Sequence, residues 1–489
     1  MIRHFGVWFA ILAIPFLASP LASRAQTPPP GLAAAPGSSA YSSGSSAQPS
    51  AAAQNPFSGS VPAKLEPGVL HLSLADAIDR GLKQNLGALL ANEDIRYARG
   101  SRWQQLSALL PNVTASAYID ASQVDLKEFG FSFNIPGVNL PSVVGPFSYF
   151  DARAYVTQSL FDWKAIQKTR SATQTVQSKQ YSYKDARDLV VLAVGYNYLL
   201  GIADAARIET ADAQVKTAQA LYHQAADQVQ AGTSPNIDAL RAQVELQTRQ
   251  QQLIQAKNDF AIQKLNLARV MGLAPGQEFE LTETLYQPLE AIAVDEALRR
   301  AYASRSDYQA ALAELRAAEY SRKAAVAGYF PTLSFSADYG DAGPHASSNH
   351  GVMDVRGTLT IPIFQGGRVR GEVLQADAQL AQARQRAENL RGQIDADVRT
   401  ALLNLQSSAD QVAVAKSNID LAEQTLAQSR DRFAAGVTDT VEVVQSEETA
   451  ASAHEQFISS LYSYNYAKIS LARALGVAET GVKEYFKGK

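Results

Sequence analysis

The sequence of 489 residues contains an internal repeat with two copies. Ten residues between Ala77 and Ala117 are identical to the residues 220 positions later, and Asp151 and Arg153 match Asp354 and Arg356 at an offset of 203. An internal repeat of this size restricts the fold to a duplicated unit. The change of offset places a 17-residue excess in the first copy, between Pro111 and Phe161, which we interpret as an elongated loop of unassigned function.

The repeats define the predicted domains. The first repeat covers 71–272 and the second covers 293–476, with a linker over 273–292 and a C-terminal tail over 477–489. Ahead of them, Arg3 and His4 precede a short apolar stretch, and small residues lie on both sides of Arg24, which is typical of an export signal. We therefore expect a signal peptide over 1–25 and a disordered leader rich in Pro, Ala and Ser over 26–70. A membrane anchor is the alternative for the N-terminal stretch.

Each repeat has the order helix, strand, loop, strand, long helix, turn, helix. Ser73 and Asp76 predict a capping box at the first helix, and Pro111 and Pro331 end helices because proline has no amide donor. The strands are predicted near 112–120, 151–161, 332–340 and 352–364. The long helices are predicted over 164–231 and 368–434, and the shorter ones over 235–271 and 439–475.

The long helix of the second repeat has the spacing of a coiled coil. From Val369 to Phe433, apolar or small residues recur at alternating intervals of three and four, with one stutter near Ile394. Taken alone, this pattern fits a soluble coiled-coil stalk at least as well as a membrane protein. The strands decide between the two interpretations.

Four strands of 8 to 11 residues are near the length that crosses a bilayer at a tilt. A four-stranded sheet in lipid leaves two unpaired edges, so it must close into a barrel of about eight strands or more. One chain cannot close the barrel, which leaves eight strands from two chains or twelve from three. The polar strand face with Asp338, Asp354 and Arg356 then lines a wet lumen. The predicted fold class is an α+β membrane protein with a tandem-repeat protomer.

Composition excludes several other functions. The chain has no cysteine, so disulfides, Cys-ligated metals and lipidation of an N-terminal cysteine are impossible, and a net charge of −3 gives no reason to expect nucleic acid as a partner. The six histidines are scattered, and neither a nucleophile elbow nor a phosphate-binding loop is present. His345 and His350 share a loop that we interpret as an ordinary polar loop. We expect no enzyme, no catalytic residue, no cofactor and no metal site.

A family resemblance rests on three features: the doubled helix-strand-strand-helix order, the passage Ile361–Arg368 from strand to helix, and the glycine turns followed by an acid. Together they resemble the TolC-type outer membrane efflux family over 70–476. The resemblance implies a homotrimer with a twelve-stranded barrel among outer membrane lipids and a periplasmic α-helical barrel. Without cysteine, the chain is similar to the non-acylated members.

The resemblance also implies a function. Such a trimer is the exit duct of a tripartite efflux or type I secretion system, through which small molecules or polypeptides pass passively. Its partners are a periplasmic membrane-fusion adaptor and an inner-membrane RND, ABC or MFS transporter. The substrate is not identified by the sequence, since the pump selects it. A periplasmic adaptor or structural stalk without a barrel is the alternative.

Candidate site residues lie at the turns after the long helices. A glycine there is the usual helix C-cap, because it accepts a left-handed backbone. The resemblance implies that both turns dock the adaptor, and the residues concerned are Ala231, Gly232, Thr233, Ala435, Gly436 and Val437.

Six residues beyond each glycine comes an acid, Asp238 in the first repeat and Glu442 in the second. Three Glu442 carboxylates in a narrowed pore attract cations, although an acid in the first turns of a helix also simply favours the helix dipole. By resemblance, Glu442 and Gln445 occupy the two positions of a periplasmic constriction, and Asp238 occupies the position of an interhelical link. Thr438 stands where some members carry a basic residue.

Overall fold

The computed structural model describes residues 56–130, 141–282, 288–289 and 292–486. The predicted signal peptide and the leader up to residue 55 lie outside the described residues, as do parts of the predicted first-repeat loop, the linker and the tail. The strands and helices of the first repeat are β1 (Leu70–Leu72), α1 (Leu74–Gln84), α2 (Leu86–Ser107), β2 (Asn112–Asp125), β3 (Val143–Phe161), α3 (Trp163–Gln230), α4 (Asn236–Met271) and β4 (Phe279–Leu281). Those of the second are α5 (Val294–Ser304), α6 (Ser306–Val326), β5 (Thr332–His345), β6 (Ser348–Thr360), α7 (Arg368–Ala434), α8 (Thr440–Ala474) and α9 (Ala478–Tyr485).

The predicted first helix of each repeat is two helices. Ser73 caps α1 through the expected capping box with Asp76. The helix then breaks at Asn85, whose side chain accepts a hydrogen bond from the Gly87 amide at 2.9 Å and so starts α2. Arg305, 220 positions later, separates α5 from α6 at the same place in the second repeat, but without a side-chain cap. An asparagine inside a helical pattern was the available signal for this break, since it favours N-caps over helix interiors.

The four predicted strands form one antiparallel sheet in the order β2-β3-β5-β6. The strands are 13 to 19 residues long, and thus longer than expected, because each hairpin continues its pairing to Val143 in one case and to His345 in the other. Only β6 ends early, at Thr360 instead of 364, just before Pro362, which cannot donate to the ladder.

The long helices form two antiparallel hairpins, α3 with α4 and α7 with α8. Helix α3 also packs on α6 and α8, so the hairpins lie side by side. Every buried residue of α7 belongs to the predicted seam, from Val369 to Phe433. With 68 residues, α3 is about 100 Å long at 1.5 Å per residue.

One segment of α3 is long and apolar enough to cross a membrane by length and composition. Half of that segment is buried inside the protein. Its apolar residues include Val190, Val191 and Val194, which are fully buried in the central core. The burial of these three residues explains the apolar composition of the segment, which is that of a core helix.

The central core joins the start and the end of the described chain. Phe57 packs against it, and the amides of Val61 and Ala63 donate to the carbonyls of Gln84 and Gly272 at 2.9 and 2.8 Å. These residues fall in the predicted disordered leader, but apolar Phe57 and backbone pairing attach them to the first repeat. At the other end, α9 lies in the predicted tail and buries Val482 in the same core.

A partly buried ionic cluster connects the repeats beside this core. The Arg305 guanidinium contacts Asp307 at 2.6 Å and Asp397 at 2.8 Å. Arg473 contacts Asp185 of the first repeat and lies 3.8 Å from Asp307. Two guanidinium groups thereby hold carboxylates of α3, α6 and α7 together.

Candidate functional site: the interhelical turns and the polar sheet face

The turn from α3 to α4 has the geometry of a glycine C-cap. Gly232 adopts φ 72°, its amide donates to the Val229 carbonyl at 3.0 Å, and the Thr233 amide donates to the Gln228 carbonyl at 2.9 Å. These two bonds form a Schellman motif, which satisfies carbonyls that the helix end leaves free. Ala231, Gly232 and Thr233 are all exposed.

The turn from α7 to α8 repeats this geometry. Gly436 adopts φ 71°, its amide donates to the Phe433 carbonyl at 3.0 Å, and Val437 donates to the Arg432 carbonyl at 2.9 Å. Ala435 and Val437 are exposed. A Cβ added at either glycine would meet nothing within 4 Å, so backbone conformation and not space selects glycine.

A small apolar cluster brings the ends of the two hairpins together. Leu221 and Ala225 of α3, Ala242 of α4, Phe433 of α7 and Val443 of α8 are all buried in it. Because both turns lie within a few residues of this cluster, the structure places the two predicted triplets at the same end of the molecule.

Glu442 is held within its own hairpin. Its carboxylate lies 3.3 Å from the Arg432 guanidinium and accepts a hydrogen bond from the Thr438 hydroxyl. Asp439 caps α8, because its side chain accepts a hydrogen bond from the Val441 amide at 3.1 Å. The sequence reasoning missed Arg432, although its position four residues before the turn glycine is the usual place for a basic residue at a helix end.

Gln445 and Asp238 lie in different surroundings. Gln445 is exposed and lines a groove with Leu240 and Val244 of α4, whereas Asp238 is only 6% exposed. The Asp238 carboxylate lies 3.7 Å from Arg241, one turn further along α4. The described ion pair of Asp238 is therefore within its own helix.

The sheet register puts the three predicted lumen residues on one face. Asp338 of β5 lies directly opposite Asp354 of β6, and Arg356, two residues further on, contacts Asp354 at 3.4 Å. Residues two apart on a strand share a face. The opposite face carries Val113, Ile119, Met353, Val355 and Leu359, all exposed in the single chain.

The same polar face carries a cluster that the sequence reasoning did not identify. The Arg153 guanidinium donates to Asp151 at 3.0 Å from Nε, to Asp338 at 3.1 Å and to the Tyr149 hydroxyl at 3.2 Å. Like charges directly opposite in a sheet destabilise it, so Arg153 offsets the repulsion between Asp338 and Asp354. Together with Asp338, the two Asp-Arg pairs form a charged band across this face. The signal for it in the sequence was the repeat match of Asp151 and Arg153 with Asp354 and Arg356.

Among the described residues, no group of three or more His, Asp or Glu side chains is arranged to hold a metal ion. His345 and His350 lie in the paired strands β5 and β6 and not in the predicted loop. The His345 ring shares a hydrogen bond with the Ser148 hydroxyl at 2.8 Å, which ties the β5–β6 hairpin to β3.

Comparison with known proteins identifies the family. The family model described as outer membrane efflux protein matches residues 83–273 and 297–477, one match for each repeat. The chain is 24% identical over 449 residues to outer membrane protein TolC of Escherichia coli, covering 84% of this chain and 86% of that protein. It is 26% identical over 400 residues to the pyoverdine export outer membrane protein OpmQ of Pseudomonas aeruginosa, covering 80% and 82%.

A solved structure has the same fold. The CmeC outer membrane channel of Campylobacter jejuni superposes with a TM-score of 0.74 at 17% identity, covering 85% of this chain and 89% of that one. The predicted alternative, a stalk or adaptor without barrel strands, is wrong, because the described chain includes the four-stranded sheet. With its two family repeats, the chain belongs to the outer membrane efflux protein family and is a non-enzymatic outer membrane channel with a periplasmic helical extension.

Proposed function

We propose that three copies of this chain form the exit duct of a tripartite system. Substrates enter at the helical turns and leave passively through a twelve-stranded barrel. The partners are a periplasmic membrane-fusion adaptor and an inner-membrane RND, ABC or MFS transporter. The main observation in support of this assembly is that the sheet and the helical layer each have two unpaired edges. These edges lie on the same two sides of the molecule.

The sheet has one free edge on each side. In the described sheet, β2 pairs only with β3, and β6 pairs only with β5. Each unpaired backbone group costs several kcal/mol in a bilayer, so the β6 edge of one copy must pair with the β2 edge of the next. Four strands from each of three copies give a closed barrel in the size range of outer membrane barrels.

The helical layer has matching edges. Helices α2 and α4 pack mainly on α3 at one side, and α7 lies at the other side against α6 and α8. Both sides expose apolar residues in the single chain. Those of α4 are Leu240, Val244, Ile254, Ile262 and Leu265, and those of α7 are Leu374, Leu403, Val414 and Leu421. Two different faces that complement each other generate a ring when the rotation closes.

The two faces of the sheet determine which side of the barrel wall contacts lipid and which side lines the lumen. The apolar face with Ile119, Met353 and Val355 suits lipid, and the face with Asp338, Asp354 and Arg356 suits water. Strands that alternate in this way are the pattern of outer membrane barrels. The charged band around Arg153 then lies inside the duct.

The turns suit a docking role. Ala231, Gly232 and Thr233, and likewise Ala435, Gly436 and Val437, present small exposed residues on rigid caps at one end of both hairpins. A helical hairpin of an adaptor can approach such a surface closely. Behind the turns, Glu442 and Gln445 form the proposed constriction, and Asp238 acts at the proposed link in the first repeat.

Assembly is tested by unheated gel electrophoresis of outer membrane fractions. The wild type should migrate as a trimer that heating dissociates. Leu403→Glu, which places a charge on the α7 edge, should shift most of the protein to monomer, whereas Asn404→Glu on the neighbouring exposed position should not. A wild-type protein that is monomeric in the outer membrane would refute the proposed assembly.

A further inference from the structure

A cavity of about 320 Å³ lies between the two helical hairpins. Helices α3, α4, α7 and α8 all contribute to its walls. Leu426, Ala450 and Ala451 form an apolar part, and most of the remaining lining side chains are polar or charged. A partly apolar recess with a few converging polar groups is the usual form of a small-molecule site.

Two of the charged lining residues are almost completely buried. Glu447 of α8 is 5% exposed, and Arg249 of α4 is 6% exposed. Each is held by its own hairpin, since Glu447 accepts a hydrogen bond from Arg430 at 3.2 Å and Arg249 donates to Glu245 at 2.6 Å. The two charges are thus fixed in place on opposite sides of the hairpin boundary.

The charge balance of the cavity is negative. Glu209, Glu423 and Glu447 line it, against the guanidinium groups of Arg249 and Arg430. The charge of Arg249 is already neutralised by Glu245 outside the lining. His454 lies 3.1 Å from Glu423 and completes the set of titratable groups there.

The lining therefore carries more carboxylate charge than its two arginines neutralise. Burial raises the pKa of Glu447, which means that its surroundings disfavour the ionised form. A cation inside the cavity would offset that cost, and an anion would increase it.

We propose that this cavity binds a small organic ammonium ion. The ammonium group pairs with Glu447 and Glu423, and a short apolar body packs on Leu426 and Ala451. Since the walls come from both hairpins, the bound ion also joins the α3–α4 hairpin to the α7–α8 hairpin. The proposal goes beyond export, because it requires neither transport nor a partner protein.

Calorimetry on the purified full-length protein in detergent tests it with three probes of matched shape. Phenethylammonium should bind and raise the melting temperature, whereas 2-phenylethanol and phenylacetate should do neither. Glu447→Gln should weaken phenethylammonium binding about tenfold or more, because it removes a charge-assisted partner. Glu448→Gln, an exposed neighbour outside the cavity lining, is the matched control and should bind as the wild type does.

A second variant keeps the test independent of folding. Glu423 is a more exposed lining residue, so Glu423→Gln should fold normally and still weaken binding several-fold. Equal affinity for all three probes, or wild-type affinity in both Glu447→Gln and Glu423→Gln, would overturn the proposal. So would loss of binding in Glu442→Gln, since that result would locate the ion at the turns.

Discussion

Arg432 and Glu442 face each other across the turn that joins α7 to α8, with 3.3 Å between guanidinium and carboxylate. The sequence analysis assigned Glu442 to a constriction or to the helix dipole and gave it no arginine partner. Both side chains are partly exposed, so the pair contributes at most about 1 kcal/mol to stability. Its main effect is on the field at the proposed constriction, because the arginine cancels part of the charge of the carboxylate.

The first prediction concerns ion preference. Arg432→Ala should raise the preference of the open pore for cations by roughly twofold, and Glu442→Gln should lower it, because the two changes shift local charge in opposite directions. Reversal potentials in planar bilayers under a salt gradient measure both. Asp295→Asn, on exposed α5, should leave the potential unchanged. An unaltered reversal potential in Glu442→Gln would remove Glu442 from the constriction.

The second prediction separates turn geometry from docking. Gly436→Ala places a Cβ on a backbone with φ 71°, which costs about 1 kcal/mol but creates no clash. We expect a normal trimer with nearly normal export. Gly436→Leu should also assemble but should lose most export, because the larger side chain covers the exposed turn.

Export of a fluorescent substrate and an unheated gel report the two properties separately. Gly232→Leu provides the same comparison at the other turn. If Leu variants at both glycines assemble and export normally, the turns do not dock an adaptor.

The third prediction is a pH dependence. Burial raises the pKa of Asp188 from 3.8 to about 6. In the unfolded chain this carboxyl is ionised above about pH 4, whereas in the folded chain it keeps its proton until about pH 6. The stability contribution of Asp188 therefore falls as pH rises from 4 to 6 and stays low above that range.

Asp188→Asn should consequently stabilise the protein by on the order of 2 kcal/mol at pH 7.5. The gain should disappear near pH 4. Melting curves at both pH values, taken as differences between variant and wild type, isolate this group from other acids. A constant difference at all pH values would contradict the assignment.

The fourth prediction concerns the ionic cluster between the repeats. Arg305 is buried and holds Asp307 and Asp397, so Arg305→Met leaves carboxylates without their partner and should cost about 3 kcal/mol. Arg299→Met, which removes an exposed arginine paired with Glu296, should change stability by less than about 0.5 kcal/mol. Thermal unfolding followed by circular dichroism compares them, and equal melting temperatures would refute a stabilising role.

Periodicity predicted the long helices well because their burial is local in sequence. The seam positions from Val369 to Phe433 follow from spacing alone, and the buried residues of α7 all belong to that seam. The strand face was predictable for the same reason, since Asp338 and Asp354 each lie on a polar side of an alternating pattern.

Contacts that depend on the geometry of a turn or on sheet register were not predictable. Arg432 reaches Glu442 through a turn, and Arg153 reaches Asp338 across 185 positions through sheet register. Strand ends also depended on partners, since β5 and β6 extend each other beyond the alternating residues. Phe57 was assigned to a disordered segment because its neighbours are polar and small, yet a single aromatic side chain together with backbone pairing attaches the segment.

Phe57 and Tyr485, near the two ends of the described chain, pack against the same core midway along the helical layer. The described chain thus begins and ends near the same point of the helical layer. Between these ends it runs twice to the sheet and twice to the interhelical turns. A circular permutant that connects these ends and opens the β5–β6 hairpin between His345 and Ser348 would preserve all helices of the described chain. Such a chain would carry its new termini at the far end of the sheet, where a fused tag would mark that end of the molecule.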